Sequence, residues 1–509
     1  MPSDESEELD VAVPADLAAG GEVGALTETL RGAVGQLWQE LGLRSPPDVV
    51  ITAGSDRGPA AVTLASGPLP VSARTRELVL LAATGALRSA AEPSDVEDLL
   101  RARMVGSDPV GCQYIMTSLV DAALRASTGR LIRREAAQLA EEIISRARPR
   151  GSAPGLDIVA HGIGLAADLG VAPSQYRTDR DIEFRDARDA YDVCEVLVDL
   201  ADSAGNLSPR IEMSAATLRR LSTSPAVTGG LNSWPQGIFA TSDLRHYGLS
   251  VPEVALHTAN DLEDGRFRTS LGPVRCTPHL VLPDHVRVVN DGNPDAAQQL
   301  DPLYGDRWSV IDVSDPAAQQ GGFGPAAFLA RSLHGDIKRH MGLWAMSPAS
   351  DPQWPPFRGA LGDQMGRRAK SVLRWLLADG AAVENVSPLI EGIAACLAAG
   401  DESAAAMVES ARAALGGAVL GLAPTNVDVD AFPLDDAAIS QALQSDSAMA
   451  LLDHHPQLLT STGQIAVTCP AGVRAEVQRL LRPLSDVVMV CTADELRGTI
   501  LSAAEALAR

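Results

Sequence analysis

The sequence predicts a mixed α/β protein (α+β in places) built of several small subdomains in series. Three observations lead there. The chain has 509 residues, room for roughly three to four packing units at about 100–200 residues each. Segments with apolar residues at helical spacing interchange with short β-branched runs, the pattern of small sheets covered by helices. Hydrophobic residues make up 46% of the chain but aromatic ones only 4%, so its cores are expected to be filled by Ala, Leu and Val.

Taken in order, residues 1–22 read as a disordered acidic tail. Leu26, Leu30, Val34, Leu37 and Leu41 mark a helix that ends at Gly42, with Pro46-Pro47 enforcing the break. Asp48–Thr52 and Ala61–Leu64 read as strands, Glu77–Leu87 as a buried helix and Cys112–Arg148 as one long helix. A Pro/Gly/Ser linker at 149–155 follows. Leu156–Leu169 and Ala187–Ala201 are helical, Ile182-Glu183-Phe184 is extended, and Arg210–Met213 is a strand after which Ser214 caps a short helix. The loose stretch Ser222–Gly237 marks the next boundary. Short strands are expected at Val254–His257, Arg266–Leu271, Val274–Thr277, Val286–Val289 and Trp308–Ile311, with a helix opening at Pro325. Helices dominate from Pro356 to about Leu422, and the chain closes on a strand–helix–strand–helix unit at Ile465–Thr468, Val473–Leu481, Val487–Val490 and Asp494–Leu507. This gives a tail at 1–22, a first module at 23–150, a middle α/β segment at 151–235, a mixed α/β module at 236–345, a helical subdomain at 346–425 and a C-terminal α/β subdomain at 426–509.

The first module has an echo in the second half. Leu41-Gly42-Leu43-Arg44-Ser45-Pro46 parallels Tyr247-Gly248-Leu249-Ser250-Val251-Pro252, and Thr117-Ser118-Leu119 with Arg125 parallels Arg331-Ser332-Leu333 with Arg339, at offsets of 206 and 214. This reads either as a degenerate duplication with a shorter first copy or as chance in an Ala/Leu/Arg-rich chain.

Acidic residues number 65 and basic ones 42, a net charge of −23, which argues against nucleic acid and anionic membranes as partners. The opening MPSDESEELD is the opposite of a signal peptide, and no apolar run approaches a membrane span. Six scattered cysteines without a CxxC pair point to a reducing compartment. A cytoplasmic location is therefore expected.

Motifs for chemistry are sparse. Asp336 and His340 share a helix face, whereas His334 and His340 lie about 240° apart and do not suit one metal. His454-His455 sit in a polar loop. Cys276-Thr277-Pro278-His279 has a zinc-like look but lacks the second pair that a closed site needs. Gly321-Gly322-Phe323-Gly324 lacks the Lys-Ser/Thr of a phosphate loop, and His161-Gly162-Ile163-Gly164 lacks a nucleophilic serine. No metal, cofactor or catalytic set is expected; if the chain were an enzyme, Asp336 and His340 would be its centre.

Four stretches in order carry a family resemblance. Leu244–Val254 contains Tyr247-Gly248-Leu249-Ser250-Val251-Pro252 between a helix and a strand; Asp264–Arg268 leads to Gly272-Pro273-Val274. Asp301-Pro302, Gly305, Trp308, Ile311 and the Gly322–Pro325 turn lead into Arg331–His340. Val372–Gly380 continues to Pro388–Ala394, and the terminal Ile465–Cys469, Val473–Leu481 and Val487–Cys491 follow. Over about residues 238–497 the chain resembles the cytoplasmic domain of the FHIPEP family, the FlhA-like export-gate proteins of flagellar and type III secretion systems. The family's membrane half has no counterpart in this sequence, and a protein without a spanning helix is not itself a proton-driven gate.

The resemblance implies a non-catalytic protein-interaction scaffold, a part in protein transport, assembly into a homo-oligomeric ring, and export chaperones bound at an apolar dimple within 238–308. Phe267, Tyr304 and Trp308 are the candidate protein-binding residues, with ordinary core packing as their other reading. The alternative function is an adaptor or regulator of an intracellular ATPase, protease or conflict system unrelated to secretion. Either way, partners with basic surfaces are favoured by charge.

Overall fold

The computed structural model describes residues 8–18, 23–53, 62–64, 67–84, 87–88, 109–146, 154–176, 182, 184, 187–203, 209–224, 254–271, 274–276, 278–289, 297–300, 307–316, 318, 323–344, 368–381, 383, 386–416, 430–461 and 463–498. Its first element corrects the expected disordered tail. Strand β1 (Glu8–Val13) lies inside a sheet, with Leu9, Val11 and Val13 fully buried. Alternate residues of a strand face one side, so the apolar alternation in ELDVAV outweighs its acidity. Asp10 faces the other way and accepts a hydrogen bond from Thr52 Oγ1 at 2.7 Å. Residues 1–7 and 19–22 of the expected tail lie outside the described residues.

Helix α1 (Val23–Leu41) buries Leu26, Leu30, Val34, Leu37, Trp38 and Leu41 on one stripe. Gly42, at φ +75°, ends it: the Leu43 N–H reaches back to the Trp38 carbonyl, a left-handed cap that favours glycine. A Cβ there would also stand 2.7 Å from the Ser174 nitrogen. Strands β2 (Asp48–Ala53), β3 (Val62–Leu64) and β4 (Gly67–Leu69) complete the sheet in the order β2-β1-β3-β4. Helix α2 (Ala73–Thr84) and the short β5 (Leu87–Arg88) follow.

The long helix expected over Cys112–Arg148 is two helices, α3 (Pro109–Ala126) and α4 (Thr128–Arg146). The break falls at Ser127-Thr128-Gly129. Thr128 Oγ1 bonds the Leu124 and Arg125 carbonyls, and the next backbone bond runs from Leu131 N–H to Ser127. Side-chain back-bonding beside a glycine competes with the helical ladder. Helix α5 (Leu156–Asp168) packs on α4, and α6 (Ala190–Ser203) packs on α5.

Strand β6 (Pro209–Met213) opens the second half, and Ser214 Oγ accepts the Thr217 N–H at 3.0 Å to cap α7 (Ala215–Thr223). β7 (Ala255–Thr258), β8 (Arg266–Leu271), β9 (Val274–Arg275) and β10 (His279–Leu280) join β6 in one sheet. In the first sheet β1 pairs parallel with β2 and antiparallel with β3, which pairs antiparallel with β4. In the second, β6 pairs parallel with β7 and antiparallel with β8, which pairs antiparallel with β9. Each half has a helix between its first two strands. The same strand–helix–strand–hairpin plan therefore occurs twice, as a duplication requires. The boundary expected at 235 falls between β6 and β7, two strands of this one sheet; residues 225–253, which hold the Gly/Pro stretch, lie outside the described residues.

Strands β11 (His285–Val289), β12 (Ala297–Leu300) and β13 (Arg307–Asp312) form a third sheet in the order β11-β13-β12-β5, so β5 ties the first half to the second. Helix α8 (Pro325–Arg339) has proline in its first turn as expected. Helix α9 (368–378), α10 (Val386–Ala398) and α11 (Ala404–Leu415) follow, and Gly392 lets α10 approach the backbone of Ala411 on α11. The C-terminal unit carries β14 (Asp430–Pro433), α12 (Asp436–Ser445), β15 (Ile465–Thr468), α13 (Arg474–Leu481) and β16 (Val488–Cys491) in an all-parallel sheet, β14-β15-β16. It packs a small apolar cluster of its own, while Ala466 and Cys491 join the large core shared by the rest. All six cysteines are free thiols, and among the described residues no helix is long and apolar enough to cross a membrane.

Polar ties attach that unit. Asp379, just after α9, meets Arg474 at 3.1 Å and Arg412 and Arg482 at 3.6 Å. Glu409 pairs with Arg474, and Glu495 with Arg412 at 2.9 Å. On the other side Asp486 accepts from Ser72 and Thr75 at the start of α2, at 2.5 and 3.1 Å, and its carbonyl accepts from Arg74 at 2.7 Å. Removing one partner of a buried ion cluster leaves the others uncompensated. Asp379→Ala is expected to lower unfolding free energy by about 3–5 kcal/mol in urea titrations. Arg188→Ala, which breaks a pair with Glu402 that is 59% and 68% exposed, is expected to change it by less than about 0.5 kcal/mol.

Candidate functional site

The structure brings together two segments that the sequence singled out separately. Asp336 is fully buried on α8 and pairs with Arg339 one turn on. Cys276, just beyond β9, and His279 in β10 come against it from the second sheet, and His340 caps α8. Burial, reinforced by the Asp336 carboxylate, pushes the Cys276 thiol well above its ordinary range. Burial pushes His279 down to about 4, and burial with the neighbouring Arg339 guanidinium pushes His340 down to about 4. At neutral pH the cluster thus holds a thiol and two uncharged imidazoles around one ion pair. A nucleophile needs its thiolate and a general base a pKa near the working pH, so neither Cys276 nor His340 is poised for that work in this arrangement. His334 is buried in the same helix. His455 stacks on Phe432 at 5.3 Å and accepts from the Asp435 N–H at 3.2 Å, a packing role.

Cys276, Arg339 and His340 also line a cleft of about 240 Å³ where the two halves and the C-terminal unit meet. Arg125, Arg130 and Arg133 enter it from the α3–α4 break, Arg275 from β9, and Arg479 and Arg482 from the C-terminal unit. Four carboxylates face them. Glu40 bonds Arg125 at 3.0 Å and Arg275 at 2.9 Å, Asp168 pairs with Arg133, and Asp446 takes Arg479 at 2.6 Å, while Asp486 is held by Ser72 and Thr75. Composition pointed away from a basic site; the arginines are spread over six segments, so only the fold gathers them.

The candidate protein-binding residues divide. Phe267 is fully buried, stacked on His279 at 5.4 Å and edge-on to Phe328 at 5.9 Å, so it is a core residue and offers no ring to a partner in this fold. Tyr304 lies outside the described residues. Trp308 is nearly buried, but one face is covered by Phe323 at 5.2 Å between ring centres, and Phe323 is 36% exposed. Arg331 lies 5.0 Å from the Trp308 ring centre and 5.2 Å from that of Phe323. Backbone bonds in both directions between Arg287 and Phe323, at 3.0 and 2.7 Å, fix the turn to β11. In the sequence Gly321-Gly322-Phe323-Gly324 stands out as lacking the Lys-Ser/Thr of a phosphate loop and as part of the family resemblance; a bulky ring among glycines was the available signal.

His279 and His340, the two most depressed histidines, give a pH prediction. Above about pH 6.5 both are neutral whether the chain is folded or not. Below it the unfolded chain takes up protons that the folded chain refuses until about pH 4. Stability from this pair is therefore expected to fall as pH drops from about 6.5 to 4, with close to two protons bound by the pair on unfolding at pH 5. Urea midpoints across that range check it, and His279→Phe should reduce the uptake to about one.

No family model matches the chain, and neither does any curated protein. Solved structures resemble it over part of its length. The MxiA protein of Shigella flexneri is 14% identical, with a TM-score of 0.40, over 57% of this chain and 95% of that one. The CdsV protein of Chlamydia pneumoniae is 12% identical, with a TM-score of 0.45, over 57% and 94%. The cytosolic domain of EscV from the type III secretion system is 12% identical, with a TM-score of 0.37, over 57% and 93%.

Proposed function

We propose that the chain is a non-catalytic protein-interaction scaffold of the export-gate kind, working in the cytoplasm and engaging partner proteins through the module at 236–345. The observation that carries this reading is the platform of Phe323, Trp308 and Arg331. Among the described residues only two large hydrophobic side chains are exposed, Leu156 and Phe323. Phe323 alone is braced by a second ring, a guanidinium and a paired backbone. Aromatic and arginine side chains presented on a rigid support are the usual anchors of interfaces. Trp308 keeps its candidate role as the buried backing of that platform, and Phe267 takes a packing role. The net charge of −23 favours a partner with a basic surface. The resemblance of residues 238–497 to the FHIPEP cytoplasmic domain supplies the export-gate part of the reading, and with it self-association.

The test is affinity capture from native lysate, followed by affinity measurement on the retrieved partner. Phe323→Ala is expected to bind at least about 30-fold more weakly, the size of a hot-spot loss, with its unfolding midpoint unchanged. Phe267→Ala is expected instead to lose about 3–5 kcal/mol of stability as a core deletion. Equal affinity of folded Phe323→Ala and wild type would sink the platform. A secretion chaperone as partner points to export; an ATPase or protease points to the adaptor role.

A further inference from the structure

The cleft at the junction of the three units holds chemistry that protein binding at Phe323 leaves unused. Its lining carries seven arginines against four carboxylates, in a chain of net charge −23. Among the described residues, three polar atoms in that lining are buried without a hydrogen-bond partner. Two are donors: the hydroxyl of Ser127, a residue only 2% exposed, and Nε of Arg482. One is an acceptor, Asp486 Oδ1, whose sister oxygen is already taken by Ser72 and Thr75. Buried polar atoms are nearly always paired in folded proteins, so three in one cleft call for an occupant. The first turn of α4 does not by itself supply the site, because the Asp168 carboxylate lies against Gly129 there and is held by Arg133.

An occupant that satisfies both sets is an oxyanion that also brings a hydrogen-bond donor. Orthophosphate near neutral pH keeps at least one O–H, which a carboxylate oxygen can accept; sulfate keeps none. Guanidinium groups match phosphoryl oxygens in geometry as well as charge. The cleft, at about 240 Å³, is smaller than the roughly 300–1,000 Å³ typical of drug-sized ligands, which restricts the occupant to a small one.

We propose that this cleft is a phosphate site, taking inorganic phosphate or the phosphoryl group of a small hydroxylated ester, with Ser127 and Arg482 donating to the oxyanion and Asp486 accepting the ligand's O–H. The experiment is calorimetry and thermal melting of the full chain with orthophosphate, glycerol phosphate and sulfate at matched ionic strength. Orthophosphate or glycerol phosphate should bind and raise the melting midpoint, with sulfate at least about tenfold weaker; the tighter of the two phosphates identifies the source as free ion or ester. Ser127→Ala should leave the ligand-free midpoint unchanged or higher, since it deletes an unpaired hydroxyl, yet weaken phosphate about tenfold. Where that variant lowers the ligand-free midpoint, Arg130→Gln is read in its place and should show the same loss. No binding to wild type, equal response to phosphate and sulfate, or wild-type affinity in the folded variant each overturns the proposal.

Discussion

Asp379 sits where three guanidinium groups converge, from α11, from α13 and from the turn after it. With Glu409 and Glu495 the cluster is balanced, three carboxylates to three arginines. Bringing so much charge out of water is tolerable only because each ion has a partner. The C-terminal unit closes an apolar cluster of its own and reaches the large core through Ala466 and Cys491, with Met489 and Leu496 packed against it; apolar packing alone is not directional, so the ion pairs add orientation. Directional ion pairs fix its angle against α9 and α11, while Asp486 caps the start of α2 on the opposite side. The cleft exists because these two attachments hold the unit across the seam between the halves.

Those halves share one plan. β1 and β6 occupy the same place in their sheets, each flanked by a parallel strand and an antiparallel one. They also differ. The second half carries an inserted three-strand layer, to which the first contributes only β5. The aromatic platform belongs to that inserted layer and to the helix after it, while the arginine cleft draws on both copies. Two surfaces with different chemistry thus come from one repeated scaffold.

Much of this was readable in the sequence, and the exceptions have physical causes. Helical spacing from Leu26 to Leu41 and the β-branched run after Pro47 identify themselves, as does the proline-led helix at 325. In the echo around Gly42 and Gly248 the first glycine meets a backbone demand at φ +75° that few residues satisfy, and the second lies outside the described residues. β1 was hidden by its own acidic residues, since composition averages over a pattern whose period is two. The break at Ser127 was hidden because two good helices flank a single Ser-Thr-Gly step. Phe267 and Phe323 could not be told apart by type: both are aromatics in a chain with few, and only burial separates a core ring from an offered one. The arginine cleft had no local signature at all.

The bond between Ser72 and Asp486 spans 414 positions of sequence. During synthesis the first sheet can pair as soon as its hairpin leaves the ribosome, since β1 through β4 lie within the first 69 residues. The start of α2, however, waits for almost the whole chain before its cap is complete. Domains generally fold in order of emergence, and contacts of such separation form late. A nascent chain of this protein therefore carries an open seam until Asp486 has emerged, and a chaperone that shields polar notches as well as greasy ones would find a long-lived client surface there.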